Sequence, residues 1–245
     1  MNIIYFPKVT VISRPTFIEP EHLKVEWNGE AFDAEQLIEY AGRLCYMSQR
    51  NPINRTTAEY IENIKKQGHG SVLEHSNFSL LLEGISRSCS HELVRHRAGF
   101  AYSQLSQRYV DESKTEFVIP PAIIGDVILE KQWYASVSSD LQWYKELSDS
   151  LYEKYSNIED KVHRRKVARE AARSVLPNAT ETKIVVTANV RAWRTMLELR
   201  CGEGAEAEIR RLALEILKIL KRIAPSLFND FTETNDKATP IYKKV

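Results

Sequence analysis

Along the chain, apolar positions alternate between the two-residue repeat of a strand and the roughly 3.6-residue repeat of a helix. Residues 3–12, IIYFPKVTVI, read as one or two short strands, with Pro7 imposing an edge or a break. Residues 15–30 form a polar, proline-containing connection. The spacing from Asp33 to Gln36 matches a capping box and predicts a helix to about residue 46, with Leu37, Tyr40, Ala41 and Leu44 on its apolar side. A second helix is predicted over 57–66, stopping at Gly68, and Gly68-His69-Gly70-Ser71 reads as a tight turn. Residues 75–85 read as a strand, after which Ser86 or Ser88 can cap a helix that delivers Arg95, His96 and Arg97.

Pro120-Pro121 separates this part from a long helical region over about 126–156, patterned by Val127, Trp133, Val137, Leu141, Tyr144, Leu147, Leu151 and Tyr155. The next helix, about 161–175, carries Arg165, Arg169 and Arg173 every four residues beside Ala168, Ala171 and Ala172, so a basic stripe flanks a small-residue surface. Residues 182–188 form a buried-looking strand leading into Asn189-Val190-Arg191 and a short helix ending near residue 200. A final amphipathic helix over 205–223 is stopped by Pro225, and the tail beyond about 232 is polar and expected to be loosely held. Strands interrupted by helices of unequal length predict an α+β (mixed α/β) fold, a single compact domain with a central sheet and long helices.

Composition narrows the function. A formal net charge of +1 over 245 residues provides no general attraction to nucleic acid, so local clustering of charge matters more than its sum. Cys45, Cys89 and Cys201 form neither a disulfide framework nor a CxxC metal site, and His22, His91 and His163 lack carboxylates at metal spacing, so no metal site is expected. No apolar run approaches membrane-spanning length and no leader pattern opens the chain, which points to a soluble protein of a reducing cytoplasm. Neither a GxGxxG nor a GxxxxGK[ST] run is present, so a bound phosphate has to be held by side chains.

Candidate chemistry concentrates in residues 86–109, SRSCSHELVRHRAGFAYSQLSQRY. If the end of this run is extended, Gln104, Ser106 and Arg108 share one face, while Ser103, Leu105, Gln107 and Tyr109 share the other. An amide, a hydroxyl and a guanidinium in a row suit an anionic, hydrogen-bonding ligand such as a nucleotide. A helix with a basic C-terminal end followed by a polar strand fits the same spacing. Three basic clusters stand out: Arg95/His96/Arg97 with Arg108, Arg165/Arg169/Arg173, and Arg191/Arg194/Arg200, of which Arg194 reads as an ordinary surface residue. A buried guanidinium needs a partner or an anion, and phosphate meets that demand with charge-assisted bidentate contacts.

Over residues 33–231 the chain resembles the flavin-dependent thymidylate synthase family, on the run RHRAGFAYSQLSQRY and on three further blocks in family order: GHGSVLEH at 68–75, ARSVLPNATETKIVVTANVRAW at 172–193 and LELRCGEGAEAEIRRLA at 197–213. The resemblance implies a catalytic domain over 1–232 with a polar tail at 233–245. It implies reductive C5-methylation of dUMP to dTMP, with 5,10-methylenetetrahydrofolate as carbon donor and NADPH as reductant through FAD. Arg95, His96, Arg97, Asn189, Arg191 and Thr195 would meet the flavin, and His69 and Ser71 would lie by the flavin and folate. Glu92, Gln104, Leu105, Ser106, Gln107 and Arg108 would face the nucleotide, with Arg173 on its phosphate. Arg200, at the uracil carbonyl edge, and Ser106 would be catalytic. The implied assembly is a homotetramer with sites at subunit interfaces. Alternatives are a relative acting on another pyrimidine nucleotide such as UMP, or a nucleotide-binding homologue with little methylation activity.

The match departs from the family pattern at three places. Eight residues, AGFAYSQL, separate Arg97 from Ser106 where seven are usual, and a bulge or wider turn at Gly99 would absorb the extra one. Thr195 stands where His or Asn is usual, and Gly204 where His is common. Unrelated thymidylate synthases activate C5 with a cysteine; here only Cys201 has a cationic neighbour, Arg200, able to lower its pKa.

Overall fold

A computed structural model describes residues 1–245. The fold is α+β, with a four-stranded sheet and long helices, as the pattern predicts. In chain order the elements are β1 (Ile3–Ile4), β2 (Lys8–Ser13), α1 (Asp33–Leu44), α2 (Thr57–Lys66), β3 (Asn77–Ser86), α3 (Arg87–Leu93), β4 (Phe100–Gln104), β5 (Phe117–Val118), α4 (Val127–Lys154), α5 (Lys161–Ala172), β6 (Glu181–Asn189), α6 (Val190–Arg200), α7 (Ala207–Ile223), α8 (Pro225–Phe228), β7 (Phe231–Thr234) and β8 (Lys237–Pro240). The sheet runs in the order β2-β3-β6-β4, while β1 pairs parallel with β5 and β7 pairs antiparallel with β8.

The chain packs as two compact units interleaved in sequence. The first comprises residues 1–8, 83–93 and 103–184. Its apolar cluster holds Phe117, Val137 and Leu141, with Ile3, Trp133 and Ala179 packed against them. Only the middle of α4 is buried. Val127 is 63% exposed and Leu147 36% exposed, so the predicted stripe is core at Val137, Leu141 and Tyr144 alone. The small-residue side of α5 is also inside, since Ala168 and Ala172 are buried.

The second unit comprises residues 9–82, 94–102 and 185–245. Helix α2 has the predicted bounds because Thr56 and Glu59 complete a capping box at one end and Gly68, at φ +71°, turns the chain out at the other. Helix α1 starts differently from the expectation. Its N-cap is Phe32, which has no side-chain acceptor, so only the return bond from Phe32 N to Glu35 Oε2 is made, at 3.4 Å.

Two further expectations are corrected here. Arg194 is no surface residue: at 2% exposure it donates to both carboxylate oxygens of Asp230, at 2.7 and 2.8 Å, and to the carbonyls of Leu227, Tyr242 and Val245. Lys65 donates to the same carboxylate at 2.8 Å. Burial alone would lift the Asp230 pKa, but the two cations hold it below the ordinary value, so it stays ionised. Nor is the tail loose, because residues 231–240 form the β7–β8 hairpin and Val245 is 4% exposed. The boundary expected at 232 falls inside that hairpin.

Thr56→Ala removes the hydroxyl that accepts from Glu59 N at 3.3 Å. The expected cost is about 1 kcal/mol, read as a lower urea midpoint at unchanged slope.

Candidate active site

Each unit contains a polar cavity lined by residues singled out above. In the second unit a cavity of about 310 Å³ is lined by Glu74, His96, Arg97, Ala98, Gly99, Phe100, Asn189, Arg191, Ala192 and Thr195. Local sequence places each of these. Helix α3 ends at Leu93, so Arg95–His96–Arg97 lie in the turn that follows it and not on the helix the spacing predicted. Phe100 N donates to Arg97 O at 3.1 Å to close a second turn, in which Gly99 takes φ +75°. A Cβ at Gly99 would stand 2.8 Å from Asn189 Nδ2 and 2.9 Å from Ala192 Cβ, so glycine is required by conformation and by space. Asn189 caps α6 by accepting from Ala192 N at 2.8 Å, which holds its amide at this wall.

Arg191 and Thr195 follow on the cavity side of α6, one turn apart. Arg191 donates to Glu74 Oε1 at 2.7 Å, and Thr195 Oγ1 donates to Arg191 O at 2.9 Å. The Arg191–Glu74 pair is nearly half exposed, so it orients the guanidinium more than it stabilises the fold. Arg191 also borders a neighbouring cavity with Cys45, Tyr46, His69, Gly70 and Ser71, where a Cβ on Gly70 would meet Arg191 Nε at 2.9 Å.

His96 is fixed from three directions. Arg200 Nε donates to its Nε2 at 3.0 Å, Tyr102 Oη donates to its carbonyl at 2.7 Å, and its ring lies 6.0 Å from that of Phe100. Phe100 in turn stacks on Tyr102 and meets Trp193 edge-on. Accepting at Nε2 requires the neutral imidazole with its proton on Nδ1. Burial, reinforced by the charges of Arg200 and Arg95, pulls the His96 pKa down to about 4, so the ring stays neutral at physiological pH. Arg200, the last residue of α6, is thereby oriented through the first basic cluster.

In the first unit a cavity of about 440 Å³ is lined by Arg87, His91, Gln107, Glu170, Arg173, Ser174, Leu176, Pro177 and Asn178. Burial and the neighbouring Arg173 guanidinium depress the pKa of Arg87. Two cations facing one space leave charge for an anion to neutralise, since Glu170 is already bonded to Arg108 at 2.8 and 3.1 Å. Arg87 is the site residue that sequence reasoning missed. Its signal was position, an arginine directly after a buried strand and at the first position of helix α3.

The expected face alternation in 104–109 does not hold, because β4 ends at Gln104 and a turn follows. Gln104 Nε2 is spent on Ser90 Oγ and Thr182 Oγ1, at 3.0 and 3.2 Å, and Leu105 N donates to Lys183 O. Ser106 O accepts from the amides of Tyr109 and Val110, and that turn buries Gln107 against the basic cavity. Glu92 is half-buried on α3, and Arg95 is exposed. The neighbouring Arg200 does not lower the pKa of Cys201. Cys201 is fully buried, and burial, with Glu233 nearby, pushes its thiol up to about 12, so it is no nucleophile near neutral pH.

A histidine whose folded pKa is depressed contributes stability above the unfolded value, and that contribution is lost as pH falls toward the folded one. Melting temperature is therefore expected to fall more steeply from pH 6.5 to 4 in the wild type than in His96→Asn. Parallel profiles would show that His96 does not carry the effect.

The family model described as thymidylate synthase complementing protein matches residues 30–226. The chain is 47% identical over 226 residues to the flavin-dependent thymidylate synthase of Mycobacterium avium (strain 104), covering 91% of this chain and 89% of that protein. It is 48% identical over 230 residues to that of Mycobacterium sp. (strain JLS), at 91% and 89% coverage. Among solved structures, a UMP/dUMP methylase PolB from Streptomyces cacaoi bound with 5-Br dUMP superposes with a TM-score of 0.68 at 19% identity, over 94% of this chain and 96% of that one, a likeness of fold. With the family match spanning most of the sequence and all four blocks lying within it, the chain belongs to the flavin-dependent thymidylate synthase family.

Proposed function

We propose that this chain converts dUMP to dTMP by reductive methylation at C5, with 5,10-methylenetetrahydrofolate as carbon donor, NADPH as reductant and FAD as bound cofactor. The observation that carries this reading is the second unit's cavity, where Arg97, Asn189 and Arg191 converge on a glycine wall beside the His96–Arg200 contact. Its donors and its missing Cβ fit part of a dinucleotide: guanidinium and amide N–H groups for pyrophosphate or ring carbonyl oxygens, and a wall that a flat group can approach closely. A volume of about 310 Å³ lies at the small end of ligand cavities, so one chain's cavity suits a portion of such a cofactor.

When bound, FAD supplies the redox chemistry between NADPH and the one-carbon unit. The chain supplies position and charge. Arg97, Asn189 and Arg191 would hold the cofactor, with Arg95 and Thr195 at its margin and His69 and Ser71 in the adjoining cavity. In the first unit Arg173 and Arg87 would grip the nucleotide phosphate, with Gln107 lining the same space and Arg108 held beside it by Glu170. Glu92, Gln104, Leu105 and Ser106 would shape the nucleotide's surroundings, and Ser106 keeps the catalytic assignment read from its motif. Arg200 would stabilise negative charge developing on the pyrimidine carbonyl edge. Neutral His96 orients it without competing for that charge. Cys201 has no part in activating C5, since its thiol stays protonated.

We place the active assembly as a homotetramer with sites completed between subunits. Support comes from α4 and α5, which leave Val127, Ile128, Trp143 and Val162 more than half exposed. A reducing cytoplasm suits three free cysteines, one of them exposed. No helix is long and apolar enough to cross a membrane.

Incubation with FAD, NADPH, methylenetetrahydrofolate and either dUMP or UMP, followed by product analysis, tests the reaction. C5-methylated deoxynucleotide is expected, and methylation of UMP alone would replace the substrate assignment. Arg200→Ala is expected to lower kcat by about 100-fold or more, whereas full turnover at saturating nucleotide would refute its role. Arg173→Ala is expected to raise KM for the nucleotide by at least about tenfold, with a smaller change in kcat.

A further inference from the structure

A side of α6 next to the one that lines the cavity is held by a buried ionic knot and by the end of the chain. Arg194 makes five hydrogen bonds there, two to Asp230 and one each to the carbonyls of Leu227, Tyr242 and Val245. Lys65 of α2 closes the knot by donating to Asp230 Oδ1 and to Ser226 O, both at 2.8 Å. Two more bonds reach the C-terminal turn of α6: Ala238 N donates to Cys201 O at 3.1 Å, and Lys244 N donates to Glu198 Oε2 at 2.9 Å. These contacts bracket Arg200. The same short helix presents Arg191 and Thr195 to the cavity and Arg200 to His96.

We propose that Arg194, through the strap of residues 237–245, is a positioning residue for catalysis, setting the rotation and the C-terminal end of α6 so that Arg200 meets its target. This rests on the reading of Arg200 as the charge-stabilising group. A fork of fixed geometry bonded on all sides specifies helix rotation in a way that an apolar contact does not. An 11-residue helix gains little rigidity from its own backbone bonds, so its placement comes from such tertiary contacts. A displacement of about 1 Å at a catalytic group can cost about 100-fold in rate.

The knot also stabilises the fold, so the test separates the two roles. Removing Arg194 alone strands a buried carboxylate, whereas replacing all three charges by apolar residues of similar size can preserve stability. The triple variant Lys65→Met/Arg194→Met/Asp230→Leu and a chain lacking residues 241–245 are compared with the wild type by thermal melting, FAD titration followed by flavin fluorescence, visible circular dichroism of the bound flavin, and steady-state kinetics. For any variant that melts within a few degrees of the wild type, the proposal expects kcat to fall at least about tenfold, KM for the nucleotide to change less than about threefold, and the flavin dichroism to change. Wild-type kcat and dichroism in either variant would overturn it. If both variants melt well below the wild type, Leu141→Ala in the first unit provides a reference of comparable melting loss. Equal kcat in that reference and in the knot variants would then overturn the proposal, and a selectively lower kcat in the knot variants would support it. Arg200→Ala run alongside keeps the two readings distinct. If it retains turnover, the role of Arg200 fails. If it is inactive while the knot variants are not, only the inference about Arg194 fails.

Discussion

A guanidinium taken out of water must have every donor answered or it destabilises the fold that buries it. Arg194 meets that condition with one carboxylate and three carbonyls drawn from residues 227–245, and much of the second unit is arranged by this requirement. The carboxylate brings α2 into the same cluster through Lys65. The carbonyls bring the last residues of the chain onto α6. That helix then has Arg194 committed to the interior while Arg191 and Thr195 border a cavity.

On the exposed side the same chemistry is used with the opposite outcome. Arg191 has one carboxylate partner and remains half in water, and Arg200 donates to an imidazole that burial and nearby charge keep neutral. A neutral acceptor orients a guanidinium without adding a charge of its own. Arg87 and Arg173 in the first unit line one polar cavity, where burial and the Arg173 charge depress the Arg87 pKa and Glu112 offsets part of that effect. In the proposed reaction Arg200 would stabilise negative charge developing on the pyrimidine ring, while Arg87 and Arg173 would meet the phosphate.

How much of this was legible depended on the kind of signal. Helix α2 could be bounded to the residue, because Thr56, Glu59 and Gly68 act on their own neighbours. The Arg-His-Arg run was put on a helix that in fact ends at Leu93, because the Asn189 and Ala192 contacts around the turn at Gly99 come from far along the chain. The face alternation of residues 104–109 failed for a related reason. The strand ends where the Gln104 amide is taken by Ser90 and Thr182, and no local pattern announces such an end. The β7–β8 hairpin was not legible because four-residue strands such as FTET and KATP carry almost no hydrophobic signal.

By itself, the sequence determined most of the helices and the longer strands. These follow from spacing, capping and residue type, which act over a few positions of chain. Only the tertiary structure decided what each arginine does. It made Arg194 an internal tie, Arg108 a partner of Glu170, Arg87 a member of a basic cavity and Cys201 an inert thiol. Burial and the identity of the facing group set those roles, and both are properties of residues brought together from far along the chain.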